Sequence, residues 1–270
     1  MTGAQDGPAA EGPAGDGPQV VVATDLRGVA VGTAVALAPD DVHHLGRVLR
    51  LADGAAVRLT DGAGHVAPAR LAGRAAELVG SPVEVPRPAP RLALVQALTR
   101  SRRADDAVRT ACELGVDLVV PLVAARTQGR PGTAEREALV ARWRAIAAAA
   151  LAQSRGAWAA TVAPVTDVAG LAAAPPWAGP LLVAVPGAPA LTDRLAGHAG
   201  HAPAAAPCAT LTVGVAVGPE GGWTPDEVTA LTGAGWLPVG LGPTVLRSEH
   251  AGPAALAVLA AASGRWAAEG

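Results

Sequence analysis

Two glycine-rich turns near the carboxyl end of the sequence have the composition of a ligand cradle. The first is Val217-Gly218-Pro219-Glu220-Gly221-Gly222; the second is Leu241-Gly242-Pro243-Thr244-Val245-Leu246, followed at once by Arg247-Ser248-Glu249-His250. Glycine allows backbone angles that expose N–H and C=O groups, and a flat ligand can lie against them with no Cβ in the way. One such turn is equally well explained by chain reversal alone. Two of them, each closing an apolar strand, favour a binding site. Neither is a common nucleotide fingerprint: G-x-x-x-x-G-K-[ST] is absent, and Gly218 to Gly222 does not spell G-x-G-x-x-G.

The other chemistry-bearing feature is arginine. Residues 87–155 hold 12 Arg and 6 acidic residues, against 6 and 10 in residues 1–86 and 3 and 7 in residues 156–270, so a segment of +6 is flanked by two of −4 in a chain of net charge −2. All 21 basic residues are Arg, which suits bidentate phosphate contacts and base stacking. A GC-rich genome would give the same bias, so position is the better guide. Arg100, Arg102 and Arg103 follow one apolar strand and Arg126 and Arg130 another, which favours contact with nucleic acid. Upstream, Asp40 to Leu51 carries His43, His44, Arg47 and Arg50. Arg47 and Arg50, three apart, are expected on one helical face, and spacing alone favours a solvated basic surface there.

These residues need elements to hold them. Leu211 to Val217 reads as a buried strand, and Thr224-Pro225-Asp226-Glu227 is a capping box with Pro at the first helical position. Trp236 to Leu241 repeats the strand, and Ser248 opens an Ala/Leu/Val helix running to about Ala262, with Ser248 expected as its cap and Glu249 as a first-turn acid. Upstream the rhythm is strand Leu92–Leu98, helix Ala104–Leu114 stopped by Gly115, and strand Leu118–Val123. Then come an amphipathic helix Glu135–Ala152, with Leu139, Trp143, Ile146, Ala150 and Leu151 on its stripe, and strand Leu181–Val185. Alternating strands and helices imply a parallel sheet, whose ligands bind at the strands' carboxyl ends.

From Val20 to about Val85 the segments are short and alternating: Gly32–Leu37, Ala55–Thr60, His65–Leu71 and Ala76–Val85. This spacing predicts a small β-barrel, with Asp40 or Asp41 capping a helical turn. Ser81–Pro90, with four prolines, is the expected domain boundary. Residues 1–18 read as a disordered tail, and residues 196–209 as a flexible connection. With Phe and Tyr absent, Leu and Val must fill the core. No apolar run nears the ~18 residues of a membrane helix, and the start lacks a signal peptide's basic and apolar segments, so a cytoplasmic protein is expected. Cys112 and Cys208 are expected as reduced thiols. His198 and His201 have no acid or Cys nearby, so no metal is expected.

The two glycine turns and Arg247 resemble the signature of the bacterial small-subunit (16S) ribosomal RNA uridine-N3 methyltransferases of the SPOUT superfamily. The likeness continues in His44-Leu45-Gly46-Arg47-Val48-Leu49-Arg50, Cys112-Glu113-Leu114-Gly115-Val116, Pro121-Leu122 and Gln153-Ser154-Arg155, giving five motifs in the family's order. The resemblance implies an α+β protein: a PUA-like β-barrel at 19–86 that binds RNA, then an α/β parallel-sheet domain at 91–270 with a carboxyl-terminal trefoil knot, acting as a homodimer. It implies S-adenosylmethionine held by Val217, Gly218, Pro219, Glu220, Gly221, Gly222, Leu241, Gly242, Pro243, Val245 and Leu246. It implies 16S ribosomal RNA or the small ribosomal subunit held by His44, Arg47, Arg50, Arg102, Arg103 and Arg155.

Methylating N3 of uridine requires removing a proton from the base's pairing edge, and Arg247 is expected to stabilise the charge left on the base or to hold the target phosphate, with Glu249 or His250 accepting the proton. The sequence departs from the family at Ala152, where Glu is usual, at Gly156-Ala157-Trp158, and at His250, where a hydroxyl residue is usual. A SPOUT ribose 2′-O-methyltransferase and a non-catalytic RNA-binding or assembly factor are the alternatives.

Overall fold

The computed structural model describes residues 17–99, 102–198 and 212–266. All but Gly17 and Pro18 of the expected tail lie outside these residues, as do Arg100, His201, Cys208 and most of the 196–209 connection. The chain divides between Pro86 and Arg87 into two units.

The first unit is a six-stranded sheet of β1 (Gln19–Val21), β2 (Ala34–Ala36), β3 (Ala56–Thr60), β4 (His65–Ala72), β5 (Ala75–Leu78) and β6 (Val83–Glu84), ordered β1-β3-β4-β5-β2 with β6 on β4. Its pairings are antiparallel apart from β1 with β3. Alternation along β4 turns His65, Ala67, Ala69 and Leu71 inward, as the pleat requires, onto a core with Leu26, Val57, Leu59 and Leu78. Between β2 and β3 lies α1 (Pro39–His43). Its cap is Ala38, not Asp40 or Asp41; Pro39 takes the first helical position, so both acids fall in the first turn. Burial, reinforced by the charge of Asp40, raises the Asp41 carboxyl above its usual value.

α1 runs into a π turn, His44–Val48. Leu51 N–H then donates to Leu45 C=O at 3.0 Å, and Arg50 takes left-handed backbone, φ 55°. This is a Schellman-type ending with Arg where Gly is usual. It holds because Leu45 is buried and Leu51 packs on the same core. Arg47 and Arg50 therefore do not share a helical face: Arg50 lies beyond the helix.

The second unit is built on a parallel sheet of β7 (Arg91–Ala97), β8 (Leu118–Val123), β9 (Thr161–Val162), β10 (Thr166–Asp167), β11 (Leu181–Ala184), β12 (Thr212–Val217) and β13 (Leu237–Val239), ordered β10-β8-β7-β12-β11-β13 with β9 on β8. α2 (Arg103–Glu113), α3 (Thr133–Ser154), α5 (Leu191–His198) and α7 (Ser248–Ala262) pack on one face, through Val108, Trp143, Leu191, Leu256 and Leu259. α4 (Val168–Ala173) and α6 (Pro225–Gly233) cover the other, through Leu171 and Leu231, with Trp236 from the turn after α6. Covering both faces explains why β7, β8 and β12 read as continuous apolar runs. Leucine and tryptophan supply the largest fully buried side chains.

Asp105 in the first turn of α2 accepts from Trp143 Nε1 at 2.8 Å and pairs with Arg142, locking α2 to α3. At the strands' amino ends, Asp117 accepts from Leu92 N–H at 2.9 Å and from Arg265 at 2.8 Å. Arg265 also donates to the carbonyls of Pro90 and Gly115. Burial, with Glu113 adding, pushes the Cys112 thiol up to about 12. No described helix is long and apolar enough to cross a membrane.

Candidate active site

The carboxyl ends of β11, β12 and β13 open onto one cavity of about 740 Å³, within the range of small-molecule sites. Val217, Gly218, Pro219, Glu220, Gly221 and Gly222 form one wall, and Leu241, Gly242, Pro243, Thr244, Val245 and Leu246 another. Both predicted turns thus line a single site. A third turn completes it: Ala184, Val185, Pro186 and Gly187 after β11. The sequence reading placed that strand but gave its turn no role, although Pro-Gly at a strand end is the same signal as in the other two.

The two ends of the first glycine turn are fixed for different reasons. At Gly218 a Cβ would lie 3.0–3.2 Å from the indole of Trp223, and that indole is pinned by its Nε1 donating to Ala184 C=O at 2.9 Å. Gly222 has left-handed backbone, φ +69°, with open space where a Cβ would be. Behind the turn, the capping box at α6 forms as predicted, Thr224 N–H donating to Glu227 Oε2 at 2.8 Å and Glu227 N–H to Thr224 Oγ at 3.2 Å. The other Glu227 oxygen accepts from Ala125 N–H at 2.7 Å. Arg126 donates to Gly221 C=O at 2.7 Å and Trp223 C=O at 3.2 Å. Arg126, expected at a nucleic-acid edge, instead clamps the glycine turn.

Arg247 lines the cavity and is exposed. It is the residue before α7, and its C=O accepts from His250 and Ala251. Ser248 does not cap α7. It is the first helical residue, nearly buried, and its Oγ accepts from Gln96 Nε2 at 3.1 Å. Gln96, fully buried in β7, also donates from Nε2 to Ala97 C=O, which fixes the orientation of its amide. Nothing in the local sequence marked Gln96, whose partner is 152 residues away. Glu249 does not line the cavity; its carboxylate faces Arg103, which does.

The remaining expected RNA contacts are divided between the two units. Arg102 caps the start of α2 and is exposed. Arg155 is exposed at the end of α3 with φ 56°. In the first unit His44, Arg47 and Arg50 are all exposed, beside the exposed Val48 and Leu49. Arg50 and Arg155 are the two non-glycine residues with left-handed backbone among the described residues, a conformation costing roughly 1–2 kcal/mol. Asp25, Asp61 and His65 cluster in the first unit, but Asp61 is occupied by the amides of Ala63, His65 and Leu26 and by the His65 ring.

The RNA methyltransferase domain family matches residues 86–260, and the RNA methyltransferase PUA domain family residues 37–77. A ribosomal RNA small subunit methyltransferase E of Mycobacterium bovis is 34% identical over 251 residues, covering 87% of this chain and 89% of that protein. The chain belongs to this methyltransferase family. Among solved structures, the family's enzyme from Neisseria gonorrhoeae bound to S-adenosyl methionine superposes with a TM-score of 0.75 at 27% identity, covering 91% of this chain and 97% of that one. A putative methyltransferase from Legionella pneumophila with bound cofactor SAM gives 0.77 at 25%, covering 91% and 98%. The family's two-part architecture, a PUA domain before a methyltransferase domain, is the one found here.

Proposed function

We propose that this chain transfers the methyl group of S-adenosylmethionine to N3 of a specific uridine in 16S ribosomal RNA, in the cytoplasm and as a homodimer whose carboxyl-terminal chain is threaded into a trefoil knot. The observation that carries the reading is the cavity where three strand-end turns meet, two of them glycine-rich. It offers backbone groups and apolar walls, which suits a ligand with an adenine, a ribose and a methionine part. Its acidic residue, Glu220, is exposed and available to a ribose hydroxyl. Insertion of β12 between β7 and β11, with β13 added beyond β11, supports a threaded chain.

Bound in this cradle, the cofactor supplies an electrophilic methyl on a sulfonium. The uridine N3 gives up its proton to a base, for which exposed His250, three residues past Arg247, is the candidate, leaving negative charge on the base oxygens; the N3–CH3 bond then forms as the S–CH3 bond breaks and the demethylated donor leaves. Arg247, an exposed guanidinium on the cavity wall, meets that charge, and a donor that engages the charge as it develops acts on the rate of the chemical step. N3 lies on the pairing edge, so the base must be presented unpaired or flipped out. Exposed His44, Arg47, Arg50, Arg102, Arg103 and Arg155 hold the surrounding RNA.

The direct test is mass spectrometry of 16S ribosomal RNA nucleosides from cells with and without the gene, and of RNA treated with the purified protein. Loss of one 3-methyluridine on deletion, restored by the protein, is expected. A ribose-methylated product, or cofactor binding without any product, would overturn the assignment. In the same assay Arg247→Ala should lower kcat by about 10²–10³-fold, while calorimetry finds cofactor affinity within about tenfold of wild type. Collapse of cofactor binding with normal single-turnover transfer would make Arg247 a loop residue only.

A further inference from the structure

Two arginines line the cavity, and one of them has a carboxylate behind it. Arg103 opens α2 immediately beyond β7, with 47% of its side chain exposed, and its Nε lies 3.7 Å from Glu249 Oε1. Glu249 is the inner partner. Its side chain is only 10% exposed, it does not line the cavity, and its Oε2 has no hydrogen-bond partner among the described residues. A carboxylate taken out of water is costly unless a cation faces it, and Arg103 provides that cation from the first turn of a neighbouring helix. No hydrogen bond occupies the Nη groups of Arg103 among the described residues. With Nε turned to Glu249, the planar fork is left to meet a ligand oxygen, as bidentate phosphate contacts require.

A general base must come within hydrogen-bond reach of the proton it takes. Glu249 faces a guanidinium and stands off the cavity wall, so its placement suits holding better than proton transfer. We infer that Glu249 is a positioning residue that holds Arg103, and that Arg103 so held grips a phosphate of the nucleotide being methylated. This rests on the methyl-transfer reading above. Arg103 then differs from Arg47, Arg50 and Arg102, which have no carboxylate behind them among the described contacts: it is aimed before RNA arrives, and its contact is with the target nucleotide.

The test is a double-mutant cycle on the full chain with Arg103→Ala, Glu249→Gln and both together. It is read by equilibrium binding of 16S ribosomal RNA at several salt concentrations and by single-turnover methyl transfer with cofactor and RNA saturating. Arg103→Ala should weaken RNA binding about tenfold and flatten the salt slope by about one. Glu249→Gln should weaken RNA binding about three- to tenfold, with the loss falling mainly on affinity, and the double variant should bind no worse than Arg103→Ala alone. Arg103→Lys, which keeps the charge without the fork, should restore part of the RNA affinity and part of the sensitivity to Glu249→Gln.

Additive losses in RNA affinity would overturn the pairing. A fall of about 10²-fold or more in single-turnover rate for Glu249→Gln at saturating RNA, with RNA affinity intact, would make Glu249 the proton acceptor. Glu249→Asp, which keeps the carboxylate but shortens its reach, carries the cycle where Glu249→Gln is unstable. If the wild-type protein transfers no methyl group to RNA, the functional reading fails while the binding cycle still reports on the pair.

Discussion

Gly218 and Gly222 sit in one turn, four residues apart, and alanine at each should fail in a different way. At Gly218 the added methyl meets the Trp223 ring at 3.0–3.2 Å, so the ring must give by a few tenths of an ångström. It cannot do so freely, because its Nε1 is bonded to Ala184 C=O at 2.9 Å and the residue is 9% exposed. Overpacking of this kind costs roughly 1–3 kcal/mol. A shifted indole also moves Ala184, which lines the cavity at the end of the neighbouring strand, so cofactor affinity should fall by about tenfold or more, the equivalent of ~1.4 kcal/mol. At Gly222 the methyl enters open space, and the cost is the left-handed backbone, roughly 1–2 kcal/mol for an L side chain.

Urea unfolding and calorimetry with S-adenosylmethionine measure both effects, and the background Trp223→Leu separates them. Removing the indole removes the clash, so Gly218→Ala should cost little in that background, whereas Gly222→Ala should cost the same with or without the indole. If Gly218→Ala proves as costly in the Trp223→Leu background as in the wild type, the argument from indole contact is wrong.

Three further outcomes are expected. Arg50→Gly relieves about 1 kcal/mol of backbone strain and loses a similar amount through the greater freedom of the unfolded chain, so thermal stability should stay nearly unchanged while RNA affinity falls; Arg50→Val, β-branched at the same φ, should destabilise, and equal stability of the two variants would refute the strain. Burial works against the Asp61 charge, but the amides of Ala63, His65 and Leu26 and the His65 ring outweigh it and hold its carboxyl below 3.8. That stabilisation is complete above the unfolded value and is lost as pH falls through the lower folded one, so the stability gap between wild type and Asp61→Asn should shrink on acidification below about pH 4, and a gap constant with pH would contradict it. Cys112, with its thiol pushed up to about 12 and buried, should resist alkylation at neutral pH and be labelled, by peptide mapping, only as fast as the protein unfolds.

What the sequence disclosed follows from the range of the forces involved. The capping box at Thr224, the stop at Gly115 and the strand at Leu118–Val123 depend on neighbours a few residues away, and each is where the pattern put it. The glycine turns were legible because strand, turn and helix cap occur in succession. The braces behind them were not: Trp223 reaches Ala184 across 39 residues, Arg126 reaches Gly221 across 95, and Gln96 reaches Ser248 across 152. No periodicity encodes such contacts. The two-residue strands β9 and β10 and the short α4 passed unnoticed because they are too brief to show a period. Asp40 and Asp41 fall two and three residues past the cap, since either is a good cap in isolation and only Pro39 settles the register.

The strand order of the second unit also sets an order of assembly on the ribosome. β7 gains β8 as a neighbour almost as soon as both are made, but its other edge waits for β12, and Arg265, which ties down Asp117, is synthesised 148 residues after it. The first unit, whose pairings all fall within residues 19–84, can finish long before. A nascent chain therefore carries a completed first unit while the sheet of the second is still half made, with an open apolar edge, the kind of surface that recruits wrong partners. The cofactor cavity, walled by the turns after β11, β12 and β13, is the last part of the second unit to exist, so a chain stalled or clipped before β13 would lack the site for the methyl donor.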